Sequence, residues 1–584
     1  MVFLFGDRDS VRRLPRLLPT QVAPSWADLV AFVGLAAIAI SVVRGAHEMS
    51  EPLAALQARA VTLDAMRLPE YALLTTLRMF AALAASLLFT FVVATLAAKS
   101  RKAELVIIPA LDILQSVPVL GFLTFTVTFF MGLFPARELG IELAAIFAIF
   151  TSQAWNMAFS FYQSLRTVPK DLDEVSRQFA FSPWRRFMRL ELPFATPSLV
   201  WNMMMSMSGG WFFVVASEAI TVGKTTVALP GIGSWLSLAI ARRDMAAVAE
   251  GVAAMGVVIV LYDQLFFRPM IAWADKFKAE QTASGERPRS WVYDLFRRTR
   301  ALRLSATPLL WPARLLTGID WPRVARPAPV RLGPRVERAV SIGWVLLVGA
   351  VLVAGVALIW SFVSRSLTWR DGLDVLGLAS LTLARVVILI GLTSLVWVPV
   401  GVWIGLRPRW AARLQAVTQF LAAFPANVLF PFAVVIIARF RLDPNVWLSP
   451  LMILGTQWYI LFNVIAGASA IPSDLKEAAD VFAVRGWRWW RSVALPAVFP
   501  YYVTGAITAS GGSWNASIVA EAVSWGPQHF EAAGLGAYIA RATAAGDAPR
   551  VALGVAVMSI FVILLNRTLW RPMYKFAERR LRLD

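Results

Sequence analysis

No cysteine occurs anywhere in the 584 residues, so disulfides, thiolate metal sites and cysteine nucleophiles are excluded. Histidine is almost as scarce, with only His47 and His529, which argues against a histidine metal cluster. Charged residues make up 16% of the chain, well below the roughly one quarter typical of soluble domains. The first twenty residues hold Arg8, Arg12, Arg13 and Arg16 but no apolar core, so no cleavable signal peptide is expected. There is no clustered acid-base or metal constellation of the kind a membrane-embedded enzyme would need.

What fills the chain instead is apolar sequence, 58% of it hydrophobic, arranged in runs near the length of about twenty residues that a spanning helix requires. Twelve runs stand out: 29–43, 72–98, 105–134, 141–161, 197–220, 247–267, 340–363, 378–404, 417–438, 446–468, 501–523 and 551–569. The third is interrupted by Asp112, Gln115 and Pro118. This reads as an all-α polytopic membrane protein of about twelve transmembrane helices. The formal charge of +20 would suggest nucleic acid in a soluble chain. Here Lys and Arg gather at the ends of apolar runs and in one mid-chain segment, as the positive-inside bias requires. The charge is therefore a topology signal, with no nucleic-acid partner expected and both termini on the cytoplasmic side. Arg242 and Arg243, beside Asp244, are the one basic pair that this topology leaves outside.

The chain is duplicated. Glu174 and Glu477, Pro193 and Pro496, Trp211 and Trp514, Glu218 and Glu521, Gly231 and Gly534, and Gly233 and Gly536 are all 303 apart, as are the triplets Arg268-Pro269-Met270 and Arg571-Pro572-Met573. Upstream, Arg78 and Arg385, like Pro118 and Pro425, are 307 apart, so one four-residue deletion separates the copies. Residues 1–275 form the first half, 276–338 an Arg-rich cytoplasmic linker, and 339–584 the second half. An even number of spans per copy gives parallel repeats, related by a pseudo-two-fold axis along the membrane normal. Within the linker, Trp291, Leu295 and their arginine neighbours suit the anionic inner leaflet.

Two polar, basic islands lie at equivalent places, residues 174–193 (EVSRQFAFSPWRRFMRLELP) and 477–496 (EAADVFAVRGWRWWRSVALP). In each a tryptophan, Trp184 or Trp487, stands ten residues after the glutamate, and a Leu-Pro pair closes the stretch. Ala478, Val481 and Phe482 fall on one helical face. The pattern predicts a short cytoplasmic helix, a turn near Arg485-Gly486 or Ser182-Pro183, and a second amphipathic helix with tryptophans at headgroup depth. Pro496 would then open the next span, since proline is tolerated in a first helical turn.

The run Glu477-Ala478-Ala479, with Trp487 and Leu495-Pro496 at their spacing, resembles the EAA motif in permeases of bacterial ABC importers of the nitrate, sulfonate and taurine type. Glu218 with Gly231-Ile232-Gly233, and Glu521 with Gly534-Leu535-Gly536, resemble the region that follows the motif. The resemblance implies a fused pair of permease subunits in the bacterial inner membrane. It also implies that two ATPase subunits dock on the cytoplasmic face and that a periplasmic or lipid-anchored binding protein delivers the solute. ATP and Mg would be bound by the partner subunits, with no cofactor in this non-catalytic chain. It points to a small anion such as nitrate, a sulfonate, taurine or bicarbonate. By position it assigns ATPase coupling to Glu174, Val175, Ser176, Ala180, Trp184 and Pro193, and to Glu477, Ala478, Ala479, Ala483, Gly486, Trp487 and Pro496. Two departures stand out. Ala180 and Ala483 occupy the place of a family glycine, where alanine is expected to preserve close packing, and Val175-Ser176 replaces Ala-Ala, which leaves room for unequal halves.

Other residues invite functional readings. Val222 to Thr226 resembles the end of a Walker A loop, but the required earlier glycine is Glu218 and no strand precedes it. Ionisable groups within spans are read as functional by default. Glu218 and Glu521 could line an outer mouth or could bond a neighbouring helix. Asn156, Asn202, Asn463 and Asn515, with Arg78 and Arg385, are further candidates for a polar lining. Trp211 and Trp514 suit packing better than gating, and Gly209-Gly210 and Gly511-Gly512 suit close helix contact. The rival class is an ion-coupled secondary transporter of six plus six spans, which would need no docking loop.

Overall fold

The structure, a computed structural model, describes residues 26–48, 61–115, 117–135, 137–222, 225–277, 290–299 and 334–580. It is helical except for two short hairpins, and each half repeats the other's order of elements. Among the described residues seven helices are long and apolar enough to cross a membrane: Ala65–Lys99, Leu139–Arg166, Pro183–Glu218, Met245–Phe277, Trp369–Gly405, Gly486–Ala520 and Ala548–Ala577. Two bent pairs raise the number to nine. Several of the twelve apolar runs are therefore broken or only partly apolar helices. The expected run 105–134 is two helices, Arg101–Leu114 and Val119–Leu133, parted before Pro118. Its counterpart is Val417–Ala423 and Ala426–Phe440, bent by 82° at Phe424-Pro425. The cause is local. A proline drives the residue before it out of the helical region, and Phe424 has φ −72° and ψ 125°. The run 446–468 is likewise a pair, Pro444–Met452 and Gln457–Ser469, bent by 43°. The first and seventh runs lie on helices Trp26–Glu48 and Pro334–Ser364, whose apolar stretches are the shorter Trp26–Ala37 and Val353–Ser364.

The same three-helix packing recurs in both copies. Leu68–Lys99 and Leu192–Glu218 flank Leu139–Arg166 in the first, and Trp369–Gly405 and Leu495–Ala520 flank Gln457–Ser469 in the second. Small residues permit the close approach. A Cβ at Gly401 would meet Val464, at Gly405 Ala468, and at Gly467 the ring of Tyr501.

The halves exchange their broken helices. Val119, Leu120, Leu123 and Val127 pack into the core of the second half, while Ala423, Val428 and Val434 pack into that of the first. Hydrogen bonds repeat this exchange. The Val119 backbone N–H donates to Asn515 Oδ1 at 2.8 Å, and Asn427 Nδ2 donates to the Phe212 carbonyl at 3.2 Å. Phe212 and Asn515 are equivalent positions, and each half uses that position to hold the other half's broken helix. This reciprocity is what a pseudo-two-fold relation demands.

Among the described residues four π-helical turns share one cause. Phe187–Glu191, Asp263–Phe267, Trp490–Ala494 and Asn566–Trp570 are each followed by a helix with proline at its second residue: Pro193, Pro269, Pro496 and Pro572. Proline has no N–H to donate and its ring crowds the carbonyl four residues back. Widening the preceding turn relieves that crowding without ending the helix. Pro496 therefore does not open a new span as expected; the amphipathic helices run through Pro193 and Pro496 as Pro183–Glu218 and Gly486–Ala520.

The two hairpins are antiparallel, pairing Ala219 with Ala228 and Ala522 with Glu531. Val222 and Thr225 thus face one another in a β-ladder, unlike the strand-to-helix turn of a Walker A loop. In the mid-chain segment, Ser290 caps a short amphipathic helix, Trp291–Arg298, with Val292 buried and Trp291 exposed.

Candidate functional site

Three places hold the residues singled out from sequence: the two islands, a pair of buried ion clusters, and a cavity between the halves.

Each island starts with a nine-residue helix, Lys170–Gln178 or Ser473–Val481. Both helices end in the same left-handed turn. Ala180 has φ 50° and Ala483 has φ 49°. The Phe181 N–H returns to the Ser176 carbonyl at 3.0 Å and the Val484 N–H to the Ala479 carbonyl at 2.8 Å, the six-to-one bond of a Schellman cap. The glycine of the family motif thus answers to backbone conformation, not to close packing: Ala180 and Ala483 are both exposed. This corrects the packing argument made from sequence. The chain turns at Phe482 to Arg485, and Gly486 already opens the next helix.

Apolar side chains project from both turns. Phe179 is 71% exposed and its equivalent Phe482 is 79% exposed, beside Val481 and Trp487. Glu174, Val175 and Glu477 are exposed as well, Ala478 and Trp184 are half-buried, and Ser176 and Ala479 face inward. Pro193 is buried and Pro496 half-buried in the continuing helices.

The islands are anchored differently. In the first, Glu191 pairs with Lys99 and with Arg186, and Arg186 reaches Asp173 at 2.6 Å. In the second the equivalent of Glu191 is Ala494, fully buried, and that of Arg186 is Trp489, packed edge-on against Trp490 at 5.8 Å. An ionic anchor has become an aromatic one.

Glu218 and Glu521 close two matching ion clusters. Arg78 gives a bidentate bond to Glu142, at 2.7 and 2.6 Å. It also donates to Glu218 Oε1 at 2.7 Å and to the Pro230 carbonyl at 2.8 Å. The second oxygen of Glu218 accepts from the Gly233 N–H at 2.7 Å. Arg385 repeats this with Glu521 at 3.0 Å and the Ala533 carbonyl at 2.8 Å, and the Gly536 N–H reaches Glu521 at 2.7 Å. A Cβ on Gly231 or Gly534 would overlap the glutamate carboxylate, so those glycines make room for the ion pair. Arg78 is wholly buried between two carboxylates, whereas Arg385 is 15% exposed with one. Of the two sequence readings of these glutamates, the geometry is that of helix clamps.

The cavity lies where the halves meet and measures about 80 Å³. Phe212, Gly209 and Ser208 of the first half face Phe424, Pro425, Thr456, Tyr459, Gly512 and Asn515 of the second. Among the described residues no charged side chain lines it. Among the sequence candidates for a polar lining, Asn515 alone of the described residues reaches it. Asn202 bonds Ser160 at 2.7 Å, Asn463 bonds the Tyr459 carbonyl at 2.8 Å, and Asn156 is exposed. Trp211 and Trp514 are buried in the two cores. Sequence reasoning missed Tyr459 and Glu142. For Glu142 there was a signal, a lone acid within an apolar span; for Tyr459 there was none.

Segments 91–267 and 397–582 match the family model described as binding-protein-dependent transport system inner membrane component. Over 191 residues, 32% of this chain and 64% of the relative, the sequence is 31% identical to the bicarbonate transport system permease protein CmpB of Synechococcus elongatus. It is 27% identical over 185 residues, 32% of this chain and 63% of the relative, to the nitrate import permease protein NrtB of Leptolyngbya laminosa. It is 27% identical over 169 residues, 29% of this chain and 43% of the relative, to the glycine betaine/proline betaine transport system permease protein ProW of Escherichia coli. The chain spans under two thirds of the length of each of these relatives.

Proposed function

Because this chain belongs to the binding-protein-dependent transport system inner membrane component family, matched once in each half, we propose that it is the fused membrane-spanning pair of an ATP-driven importer. The observation that carries the proposal is the equivalence of the two islands. Each presents a nine-residue helix, a left-handed turn and an exposed phenylalanine at the same spacing. Aromatic side chains left uncovered at matched positions fit pockets on a partner better than they fit water. Two ATPase subunits would take one island each on the cytoplasmic face, with ATP and Mg held by those subunits. A binding protein would present the solute on the opposite face. Both islands on one side of the membrane, with cytoplasmic termini, follows from the distribution of Lys and Arg.

The mechanism we infer is a rocking of the halves. Drawing the islands together would be transmitted along the continuous helices Pro183–Glu218 and Gly486–Ala520, both of which reach the inter-half cavity. The ion clusters at the far ends of these helices would keep each half rigid as it moves. The solute is proposed to be a small anion, as the names of the bicarbonate and nitrate relatives suggest. A cavity free of carboxylates supports this, because the two glutamates that would repel an anion are spent on arginines.

The test is uptake of nitrate and of bicarbonate into proteoliposomes holding the full chain with its ATPase and binding protein. The proposal expects uptake that requires ATP and the binding protein. Uptake by the chain alone, driven by an ion gradient, would contradict it.

A further inference from the structure

We propose that the hydroxyl of Tyr459 is a solute contact in the inter-half cavity, the donor that takes an oxygen of a small oxyanion as it passes between the halves. This rests on the import reading above and adds a residue and a chemistry to it.

Tyr459 is 8% exposed and lines the cavity. Its hydroxyl faces across the gap to Gly209 of the other half, where a Cβ would lie 3.7 Å from the oxygen. Buried tyrosine hydroxyls ordinarily find a partner. The backbone carbonyl of Tyr459 accepts from Asn463 Nδ2 at 2.8 Å, but its hydroxyl has no hydrogen-bond partner among the described residues. The other polar groups at the cavity are committed. Ser208 donates to the Met204 carbonyl at 2.9 Å, Thr456 pairs with Ser513 at 3.0 Å, and Asn515 accepts from Val119 and donates to the Gly511 carbonyl. Tyr459 is thus the uncommitted donor of this lining. The first turn of Ala426–Phe440 also borders the cavity at Ala426, so the positive end of a helix dipole lies beside it. A neutral donor and a partial positive charge suit a small oxyanion that must bind and then leave, which a full positive charge would hinder.

The site is built from unlike residues. At the spacing of 303 that pairs Trp155 with Trp458, Tyr459 corresponds to Asn156, which is exposed and off the cavity. Fusion lets one copy carry a contact that the other lacks.

The experiment compares wild type, Tyr459→Phe and Asn156→Ala in the proteoliposome assay with nitrate and bicarbonate as probes, alongside ATP hydrolysis and the Tm of each purified chain. Removing one hydrogen bond to a charged acceptor is worth about tenfold. Tyr459→Phe should lower uptake by about that factor, with ATP hydrolysis within twofold of wild type and Tm unchanged or higher, since the hydroxyl holds no protein group. Asn156→Ala should transport normally. Wild-type uptake in Tyr459→Phe overturns the contact alone. A loss of uptake accompanied by a lowered Tm also overturns it, because that is the mark of a structural hydroxyl. A wild-type complex that imports neither anion overturns the contact and the anion reading together.

Discussion

Arg78 and Glu218, 140 residues apart in sequence, meet at 2.7 Å with both side chains fully buried. Glu142 completes the cluster from a third helix. Removing one member of a buried pair leaves an uncompensated charge and costs about 3–5 kcal/mol. Arg78→Met should fall in that range, measured by thermal or denaturant unfolding in detergent. Arg385→Met should cost less, because Arg385 serves one carboxylate and keeps some contact with solvent. Equal losses at the two sites would contradict the asymmetry described.

Ala180→Gly and Ala483→Gly should each stabilise the protein. A left-handed conformation costs a non-glycine residue about 1–2 kcal/mol, and both alanines adopt it on an exposed turn. The expected gain is about 1 kcal/mol per site, read as a raised Tm. Valine at either position should lower it. A destabilising glycine would mean that the alanine methyls pack against something the turn requires.

Pro193→Ala and Pro496→Ala should let the preceding π turns relax to α-helix, since the carbonyl crowding is gone. Losing one extra residue from a turn rotates the island by about 100° relative to its span, given 3.6 residues per turn. ATP hydrolysis should persist while solute moved per ATP falls. Spin labels at the exposed residues 482 and 504 should report the rotation as a changed distance. An unchanged distance and unchanged coupling would show that something other than proline sets the π turn.

Much of this was legible in sequence because it is periodic. The constant spacing of 303 exposed the duplication, whereas the Leu-Pro pair of the second island was read as the start of a span and only the structure shows a widened turn there. The break in run 105–134 was marked by Asp112, Gln115 and Pro118, whereas in 417–438 apolar composition continues across Pro425 although the backbone does not. The meaning of the motif's glycine could not be read either. Ala180 and Ala483 look like conservative packing changes until φ is known. Glu218 and Arg78 were each noted as charges in apolar surroundings, but their pairing depends on three helices meeting, which no local pattern encodes. The role suggested for Tyr459 depends on what its hydroxyl lacks, and only coordinates reveal that.

Phe179 and Phe482, exposed at matched positions, are the proposed docking points for the ATPase subunits. The natural absence of cysteine makes the chain its own background for single-site crosslinking. Phe179→Cys and Phe482→Cys, each placed in the reconstituted complex with a cysteine-bearing ATPase, should both form a crosslink to that subunit, with yields that change when ATP is added. Failure of both positions to crosslink, or labelling that places the two cysteines on opposite faces of the membrane, would contradict the account.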